Sequence, residues 1–237
     1  MVTAAFLNIN FDIDKRARRL IESTVSSERL ERSRRYHFKE DTIRSLMSEC
    51  LLKMYAHRRF GPAFSSISLI YNEYGKPLLK NHPDIHFNLS HSGNWVACAL
   101  SDKPVGVDVE AKKKINLSLA KRFFSPEEYG FITENPEESN DRFFRIWVLK
   151  ESYIKAIGMG LSCGLDTFCL IENGRISRQA IHKGGTKPMQ LESRRIDERY
   201  WAGICYDSAF RSIDKLEFFD QEALLGYAAS MQSAGLK

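Results

Sequence analysis

Two short stretches of the sequence place three carboxylates and two lysines among apolar residues. The first is GVDVE at 106–110, and the second is WVLKESYIK at 147–155. If GVDVE is a strand, Asp108 and Glu110 share one face and repel each other unless a cation or a shared proton compensates them. A Mg²⁺ ion meets this need, because it takes one or two protein carboxylates and completes its octahedron with water and phosphate oxygens. We therefore predict a Mg²⁺ site that also needs a phosphate ligand.

Each of these stretches also has a simpler interpretation. Glu151 and Lys155 lie four residues apart on a predicted helix, and a surface ion pair at this spacing contributes about 0.2–0.5 kcal/mol and nothing more. Asp108 and Glu110 would then occupy the solvated face of an edge strand. An edge is better protected by lysines, however, and lysines follow directly at 112–114. The acidic pair therefore favours a cation site.

Candidate phosphate ligands occur in neighbouring motifs. GKP at 75–77 lies at a turn and NLSHSGN at 88–94 lies at the end of a strand, where backbone amides and hydroxyls commonly face an anion. Alone, the histidine of this motif is a turn residue without a role, so the ordered succession of the motifs carries the argument. The candidates for contacting an anion are Arg29, Arg32, Arg44, Lys76, Ser90, His91 and Lys155.

Composition indicates a folded protein with one large domain or two small ones in its 237 residues. Hydrophobic residues make up 43% of the chain and charged residues 27%, as in ordinary globular proteins. No apolar run approaches the roughly 20 residues needed to span a bilayer, and the N-terminus does not resemble a signal peptide, so we expect a cytoplasmic protein. The five cysteines are scattered and form no CxxC pair, which predicts reduced core thiols.

Positive charge is concentrated in the first quarter of the chain. The formal net charge is +5, and residues 15–59 hold thirteen lysines and arginines against six acidic residues. A clustered basic surface suits a polyanionic ligand or an acidic partner. Nucleic acid, a nucleotide cofactor and an acidic protein all remain open on this observation.

Hydrophobic spacing predicts the elements that would position these residues. In the first half, apolar positions three and four residues apart predict a long helix within 26–61, which Gly61-Pro62 ends. Alternating patterns and turn residues predict strands. The predicted strands are 3–9, 65–74, 85–90 and 94–100, the last two as a hairpin, followed by 104–110. On this last strand the odd-numbered valines face one way, and Asp108 and Glu110 face the other.

The second half repeats this plan. We predict helices at 117–132 and 139–158, then strands at 166–171, within 187–196 and at 200–206. The Asn173-Gly174 turn predicts a hairpin that adds a strand at 175–181. The expected fold is α+β, with two pseudo-symmetric halves that each pack helices on a small antiparallel sheet. We place the halves at 1–102 and 103–237, so the second half opens with the acidic strand.

These motifs, in this order, resemble the surfactin-type 4′-phosphopantetheinyl transferases, the longer members of their superfamily, with two fused halves. The family signature is a hydrophobic-Gly-hydrophobic-Asp strand followed, about 40 residues later, by Trp-x-x-Lys-Glu-(Ser/Ala)-x-x-Lys. It is matched at 105–108 and 147–155. YGKP, HFNLSHS, RRYHFKEDTIRSL and AKRFFSPEEY are similar to the family as well, so the resemblance covers roughly residues 28–166.

The resemblance implies a metal centre and catalytic roles in the second half. Asp108, Glu110 and Glu151 would hold Mg²⁺, for which Mn²⁺ can substitute, together with the pyrophosphate of coenzyme A. Asp108, Glu151 and Lys155 would be catalytic, with Glu151 as general base directly or through a water and Lys155 steadying the leaving phosphate. Glu128, in SPEEY, is a weaker candidate for a metal-side or structural role.

Coenzyme A is the implied co-substrate, and the first half would bind its adenine and 3′-phosphate. Arg29 and Arg32 match basic positions that are lysines in well-known members. The implied ligands are His91 and Arg44 for the 3′-phosphate, Lys76 beside the adenine, and Arg29, Arg32 and Lys155 for phosphates, with Ser90 among them.

The implied reaction transfers 4′-phosphopantetheine from coenzyme A to a serine of an apo acyl or peptidyl carrier protein and releases 3′,5′-ADP. Such carriers serve fatty acid, polyketide or non-ribosomal peptide synthesis. We expect a monomer with neither nucleic acid nor membrane as partner. The carrier would dock on residues 112–124 of the second half. The alternative for this segment is an ordinary amphipathic helix behind a solvated lysine run.

A Mg²⁺-dependent nuclease also uses two or three carboxylates and a lysine near a phosphodiester, and the basic first half would bind its substrate. This alternative lacks the close Glu-x-Lys pair on a strand and leaves GKP and SHS unexplained. A nucleic-acid-binding module without catalysis needs no set of three carboxylates. The transferase interpretation accounts for all of the motifs.

Overall fold

The structure, a computed structural model, describes residues 1–64, 67–160, 163–183 and 185–234. The first half opens with a strand and three helices, β1 (Val2–Asn8), α1 (Lys15–Thr24), α2 (Ser27–Ser33) and α3 (Lys39–Phe60). Four strands complete it, β2 (Leu69–Tyr71), β3 (Pro77–Leu79), β4 (His86–Ser92) and β5 (Trp95–Ser101).

The second half opens with the acidic strand and three helices, the last of which carries the WVLKESYIK motif. These first elements are β6 (Val105–Ala111), α4 (Leu117–Phe123), α5 (Pro126–Thr133) and α6 (Ser139–Ile157). The remaining strands and the last helix are β7 (Cys169–Glu172), β8 (Arg175–His182), β9 (Gly185–Thr186), β10 (Met189–Asp197), β11 (Tyr200–Asp207), β12 (Lys215–Phe219) and α7 (Gln221–Ser233).

The layers of the molecule are a helix, two sheets and a second helix. In the first sheet the strand order is β12-β1-β5-β4, and α3 covers its outer face. In the second sheet the order is β10-β11-β6, and α6 covers its outer face. The inner faces pack on each other through a cluster of small and β-branched residues from β1, β5, β6 and β11. The α+β architecture with helices on small sheets is therefore as predicted.

Most predicted elements are confirmed, with changes at their ends. The hairpin of β4 and β5 is antiparallel and turns at Gly93, whose φ is 52°. The Asn-Gly hairpin of β7 and β8 turns at Asn173, whose φ is 51°. The long helix predicted within 26–61 is α3, which Gly61 ends, and the shorter α2 precedes it. The helix predicted at 117–132 is instead two helices, α4 and α5, because Ser125 caps a new helix. The predicted strand 65–74 is reduced to β2, and its residues 65 and 66 lie outside the described ranges.

The end of the chain returns to the first half. β12 pairs in parallel with β1, from Thr3 opposite Lys215 to Leu7 opposite Phe219. Helix α7 then packs against α1 and α3, and its Leu224 belongs to the core of the first half. Residues 215–233 therefore belong in space to the first half, although the proposed boundary at 102/103 assigns them to the second. Residues 235–237 of the proposed second half lie outside the described part.

Two glycines let α6 lie directly on the second sheet. The valines of β6 point inward and are fully buried, whereas Gly106, Asp108 and Glu110 face α6, as the alternation predicted. A Cβ atom on Gly106 would overlap the carbonyl oxygen of Ser152, and one on Gly203 of β11 would overlap that of Val148. This close approach brings the motif of α6 beside the carboxylates of β6. No helix in the described ranges is long and apolar enough to cross a membrane.

Replacing Gly106 with alanine should move α6 off the sheet and lower the free energy of unfolding by about 1–3 kcal/mol, as for other overpacked cores. The free energy is measured by urea denaturation. The control is Gly130→Ala in α5, where no described residue beyond the helix's own turn lies within 4 Å of the added methyl group. Alanine is the better helix former there, so the control should gain up to about 1 kcal/mol. A Gly106→Ala protein as stable as the wild type would contradict the close packing.

Candidate active site

An open cleft of about 470 Å³ contains most of the predicted site residues. It lies where α2 and β4 of the first half meet β6 and α6 of the second. The predicted residues that line it are Arg29, Arg32, Ser90, His91, Asp108, Glu110, Glu151 and Lys155. Tyr36, Tyr71, Gly75, Pro77 and Trp147 line it as well. The fold therefore brings together segments separated by more than a hundred residues.

Side chains of β4 bind β6 across the junction of the two halves. Asn88 accepts a hydrogen bond from the amide of Val107 at 2.9 Å, and the Ser90 hydroxyl accepts one from Val109 at 3.3 Å. The next hydroxyl, that of Ser92, accepts one from the amide of Ala111 at 3.1 Å. We call this set of three bonds the side-chain ladder. Alternate residues of NLSHS thus replace the backbone of a neighbouring strand, a role that the alternation of polar residues signalled but that we did not predict.

The ladder serines also hold the two carboxylates of β6. Ser90 donates to Asp108 Oδ1 at 2.8 Å, and Ser92 donates to Glu110 Oε2 at 2.7 Å. Each hydroxyl therefore accepts from the backbone of β6 and donates to one of its side chains. This double use fixes the rotamers of the carboxylates that face the cleft.

Asp108 is nearly buried and has one unsatisfied oxygen. Only 3% of the residue is exposed. Its Oδ1 accepts from Lys155 Nζ at 2.5 Å as well as from Ser90, and Lys155 Nζ lies 3.0 Å from the Ser90 hydroxyl. Its Oδ2 is buried and has no hydrogen-bond partner among the described residues. A buried carboxylate oxygen without a donor is costly, so this atom indicates capacity for a further cation or proton.

The other two carboxylates are half-buried, and both titrate above their ordinary range. Burial raises the pKa of Glu110, and the charge of Asp108 raises it further. Burial and then Asp108 also raise the pKa of Glu151, against a smaller opposing effect of Lys155. The positive charges of Lys155 and Lys113 therefore do not outweigh burial and the repulsion from Asp108.

The three carboxylates share the cleft but do not form a ready metal site. Within the described residues, no group of three or more histidine, cysteine, aspartate or glutamate side chains is close enough to hold a metal ion. Asp108 is instead paired with Lys155. The donor set itself suits a hard divalent cation, because it consists of carboxylate oxygens, one of which has no partner.

Arg44 of α3 reaches the turn that follows β4, close to His91 at the end of that strand. Arg44 Nη1 donates to the carbonyl of Gly93 at 3.0 Å, and its Nη2 is 2.7 Å from Asp41 Oδ1. Burial lowers the pKa of His91, and the positive charges of Arg44 and Lys155 lower it further. An anion bound here would oppose that effect. Arg44 is not among the residues that line the cleft, so its role towards the 3′-phosphate stays a prediction.

Lys76 points away from the cleft, although its neighbours Gly75 and Pro77 line it. Its ammonium donates to the carbonyls of Lys155 at 2.6 Å and Ala156 at 3.0 Å, at the end of α6. The side-chain amide of Asn72 donates to the carbonyl of Gly158 at 3.2 Å. The GKP turn of the first half therefore caps α6 of the second. A contact of Lys76 with adenine stays a prediction, and this capping role was missed because it joins residues 79 apart.

Glu128 has a structural role rather than a place in the cleft. Its Oε2 lies 2.7 Å from Lys150 Nζ, and both side chains are fully buried. Its carboxylate also accepts from the amides of Ser125 and Leu170, and Lys150 donates to the carbonyl of Phe168 at 2.7 Å. This pair ties α5, α6 and β7 together. The lysine of the Lys-Glu motif is thus a core residue, and the glutamate beside it faces the cleft.

Comparisons with known proteins identify relatives of both halves. Residues 104–205 match the model of the 4′-phosphopantetheinyl transferase superfamily, and residues 14–103 match that of the 4′-phosphopantetheinyl transferase N-terminal region. The chain is 38% identical to 4′-phosphopantetheinyl transferase Sfp of Bacillus subtilis (strain 168), over 77% of this chain and 82% of the relative. It is 34% identical to the transferase gsp of Aneurinibacillus migulanus, over 91% and 90%. With psf-1 of Bacillus pumilus the identity is 37% over 81% and 84%.

Replacing Lys76 with methionine should loosen the end of α6, because the carbonyls of Lys155 and Ala156 lose their donor. We expect a loss of about 1–3 kcal/mol in the free energy of unfolding, the cost of unsatisfied buried acceptors. Amide hydrogen exchange at 153–158 should accelerate. The control is Lys80→Met on an exposed side chain, expected to change stability by less than about 0.5 kcal/mol. Unchanged exchange at 153–158 in Lys76→Met would argue against the cap.

Proposed function

The chain belongs to the 4′-phosphopantetheinyl transferase superfamily, and from this we propose how its cleft carries out the reaction. The protein transfers 4′-phosphopantetheine from coenzyme A to a serine of an apo carrier protein, which becomes the holo form while 3′,5′-ADP is released. We propose that the reaction depends on Mg²⁺, with Mn²⁺ as a substitute, and that the enzyme is a cytoplasmic monomer. The nuclease alternative is set aside, because the family is one of transferases.

The unpartnered Oδ2 of Asp108 is the observation that carries the metal proposal. It is buried at the base of a cleft that two further carboxylates, Glu110 and Glu151, also line. The raised pKa values of those two groups reflect burial and the negative charge of Asp108. These three residues would hold Mg²⁺. The bound ion would neutralise charge on the pyrophosphate of coenzyme A.

Glu151 suits the role of general base. A carboxylate with a raised pKa accepts a proton more readily near neutral pH, and burial raises the pKa of this one. It would take the proton of the carrier serine, directly or through a water. The serine oxygen then bonds to the phosphorus that carries pantetheine, and the bond from that phosphorus to the oxygen of 3′,5′-ADP breaks.

Lys155 is placed to stabilise the leaving group. It lies one helical turn after Glu151, and its ammonium is held by Asp108 and Ser90 at the wall of the cleft. Because phosphoryl-type transfer requires mainly positioning and charge neutralisation, an ammonium at this place would stabilise the charge that develops on 3′,5′-ADP. By capping the end of α6, Lys76 would keep Lys155 beside Asp108 and Ser90.

The remaining basic side chains form the proposed cradle for coenzyme A. Arg29 and Arg32 face the cleft from α2, and His91 faces it from β4. We assign Arg29 and Arg32 to the phosphates, and His91 with the adjacent Arg44 to the 3′-phosphate. The adenine would lie at the GKP turn, where Gly75 and Pro77 rather than the ammonium of Lys76 line the cleft.

The carrier protein would dock on residues 112–124. Leu117 and Leu119 of α4 are 39% and 45% exposed and extend an apolar surface, the kind of feature that marks interaction sites when it is contiguous. Beside α4 lies an apolar cavity of about 220 Å³, and Glu110 reaches its edge. Its lining residues are Glu110, Lys113, Lys114, Ile115, Leu119, Phe123, Phe143, Phe144 and Trp147. An apolar surface with lysines at its rim suits an acidic partner. Its position next to Glu110 would let that partner place a serine close to the proposed metal site.

The metal assignment is tested by intact-mass spectrometry of an apo carrier protein incubated with enzyme, coenzyme A and Mg²⁺. We expect the wild type to add one phosphopantetheinyl group and EDTA to prevent the addition. Asp108→Asn, which keeps the shape but not the charge, should slow transfer at least about 100-fold. Asp12→Asn, at an exposed position outside the cleft, should retain full activity. Near-normal transfer by a folded Asp108→Asn protein would refute the metal assignment.

The carrier surface is tested by reversing its charge. The double variant Lys113→Glu/Lys114→Glu should raise the KM for carrier protein about tenfold at low salt, because charges around an interface act mainly on encounter. The effect should shrink at high ionic strength. Lys183→Glu, which does not line the cavity, is the control and should leave this KM unchanged. A KM that depends on neither substitution nor salt would place the carrier elsewhere.

A further inference from the structure

A buried carboxylate in α3 holds the first turn of α2, and no motif identified it. Glu49 is only 1% exposed. Its Oε1 accepts from the amide of Ser26 at 2.6 Å. Its Oε2 accepts from the Ser26 hydroxyl and from Arg29 Nε, each at 3.1 Å. One carboxylate thus fixes both the residue that caps α2 and the first of the two arginines that α2 presents to the cleft.

The environment of Glu49 makes this contact hard to replace. Its second cation is Lys53, whose Nζ lies 3.6 Å from Oε1 and donates to the carbonyl of Thr24 at 2.7 Å. A buried charge needs charged or hydrogen-bonding partners, because the protein interior solvates it poorly. Glu49 therefore has two cationic partners with different surroundings. Lys53 is turned into the core, whereas Arg29 reaches the cleft.

Arg29 is held by two of its three guanidinium nitrogens while it lines the cleft. Its Nε is bound to Glu49, and its Nη1 lies 3.4 Å from the Ser45 hydroxyl of α3. The side chain is 12% exposed, and the residue lines the same cleft as His91 and Lys155. A guanidinium is planar, so fixing Nε fixes the plane in which its outer N–H groups point. The free protein thus holds Arg29 in one orientation before any ligand arrives.

We propose that Glu49 is a positioning residue for coenzyme A, acting through Arg29. The carboxylate orients the guanidinium so that its outer N–H groups meet a phosphate oxygen of the bound cofactor. Binding then does not have to order a long flexible side chain, and preorganisation of this kind increases affinity. The inference deepens the proposed function and rests on Arg29 contacting a phosphate.

The first test is Glu49→Gln in the full-length enzyme, assayed well below its unfolding temperature. Glutamine keeps the shape and can still accept from Ser26, but it removes the negative charge that holds Arg29. We expect the KM for coenzyme A to rise about tenfold, which is about 1.4 kcal/mol, with kcat changed less than about twofold. Isothermal titration with coenzyme A should show the same loss of affinity.

Lys53→Met is the matched control, because it removes the other cation of Glu49 and leaves Arg29 in place. Both variants should lower the melting temperature, since both leave a buried group without its partner. Only Glu49→Gln should raise the KM for coenzyme A. An equal rise in Lys53→Met would show that Glu49 acts through general stability and would overturn the inference.

A double-mutant cycle tests whether Glu49 acts through Arg29. The KM values are measured for Arg29→Ala and for Glu49→Gln/Arg29→Ala. If Glu49 only orients Arg29, the double variant should match Arg29→Ala within about twofold, since the two effects are not additive for coupled residues. The inference would be overturned if the increases in KM of the two single variants multiplied in the double variant, or if Arg29→Ala left the KM unchanged. Either result is informative as long as the wild type still catalyses transfer. Absence of transfer by the wild type would instead overturn the proposed function.

Discussion

The two halves of the enzyme are joined where side chains of one strand take the place of a backbone partner for another. Asn88, Ser90 and Ser92 satisfy the amides along β6, and two of them also hold the carboxylates of that strand. A strand edge without such partners would be open to solvent or to other chains. The side-chain ladder therefore sets the distance between the two halves. The same serines also orient the carboxylates of Asp108 and Glu110.

The charge distribution of the cleft depends on helix α6, which lies over the junction of the two halves. Glycines at 106 and 203 admit α6, which places Glu151 and Lys155 over the carboxylates of β6. In this structure the ammonium of Lys155 binds one oxygen of Asp108, and the part of the chain that the structure describes offers no partner to the other. Acidic groups gather on the side of the second half, while arginines and His91 of the first half face them. A cofactor with both a pyrophosphate and a ribose phosphate can bridge these two sides.

Local patterns were sufficient to predict the parts of the site that alternate or repeat along one element. The alternation of β6 predicted that its valines and acids face opposite ways, and the four-residue spacing predicted that Glu151 and Lys155 share a face of α6. Gly61 and the Asn-Gly turn predicted where elements end, because few residues adopt positive φ. The resemblance to a family then supplied ligands and chemistry that spacing alone left open.

The parts that were not predicted depend on pairings across the chain. From the sequence alone, Lys76 is an acceptable ligand for a phosphate or for adenine. Only the folded structure shows that its ammonium binds carbonyls at the end of α6. Glu49 looks like one acidic residue of an amphipathic helix, and its burial appears only once α2 is packed on α3. Likewise, no periodicity in residues 207–237 indicates that β12 will pair with β1, because register between strands so far apart is set by tertiary packing.

The position of β12 also bears on how the protein is made. The first sheet receives its fourth strand only after residues 215–219 are synthesised, more than a hundred residues after β5. At typical elongation rates this interval is roughly 6 to 24 s. During it the nascent first half presents the open edge of β1 and the apolar surfaces that α7 will cover. Completion of the first half is thus coupled to synthesis of β12 and α7, which follow the entire core of the second half in the chain.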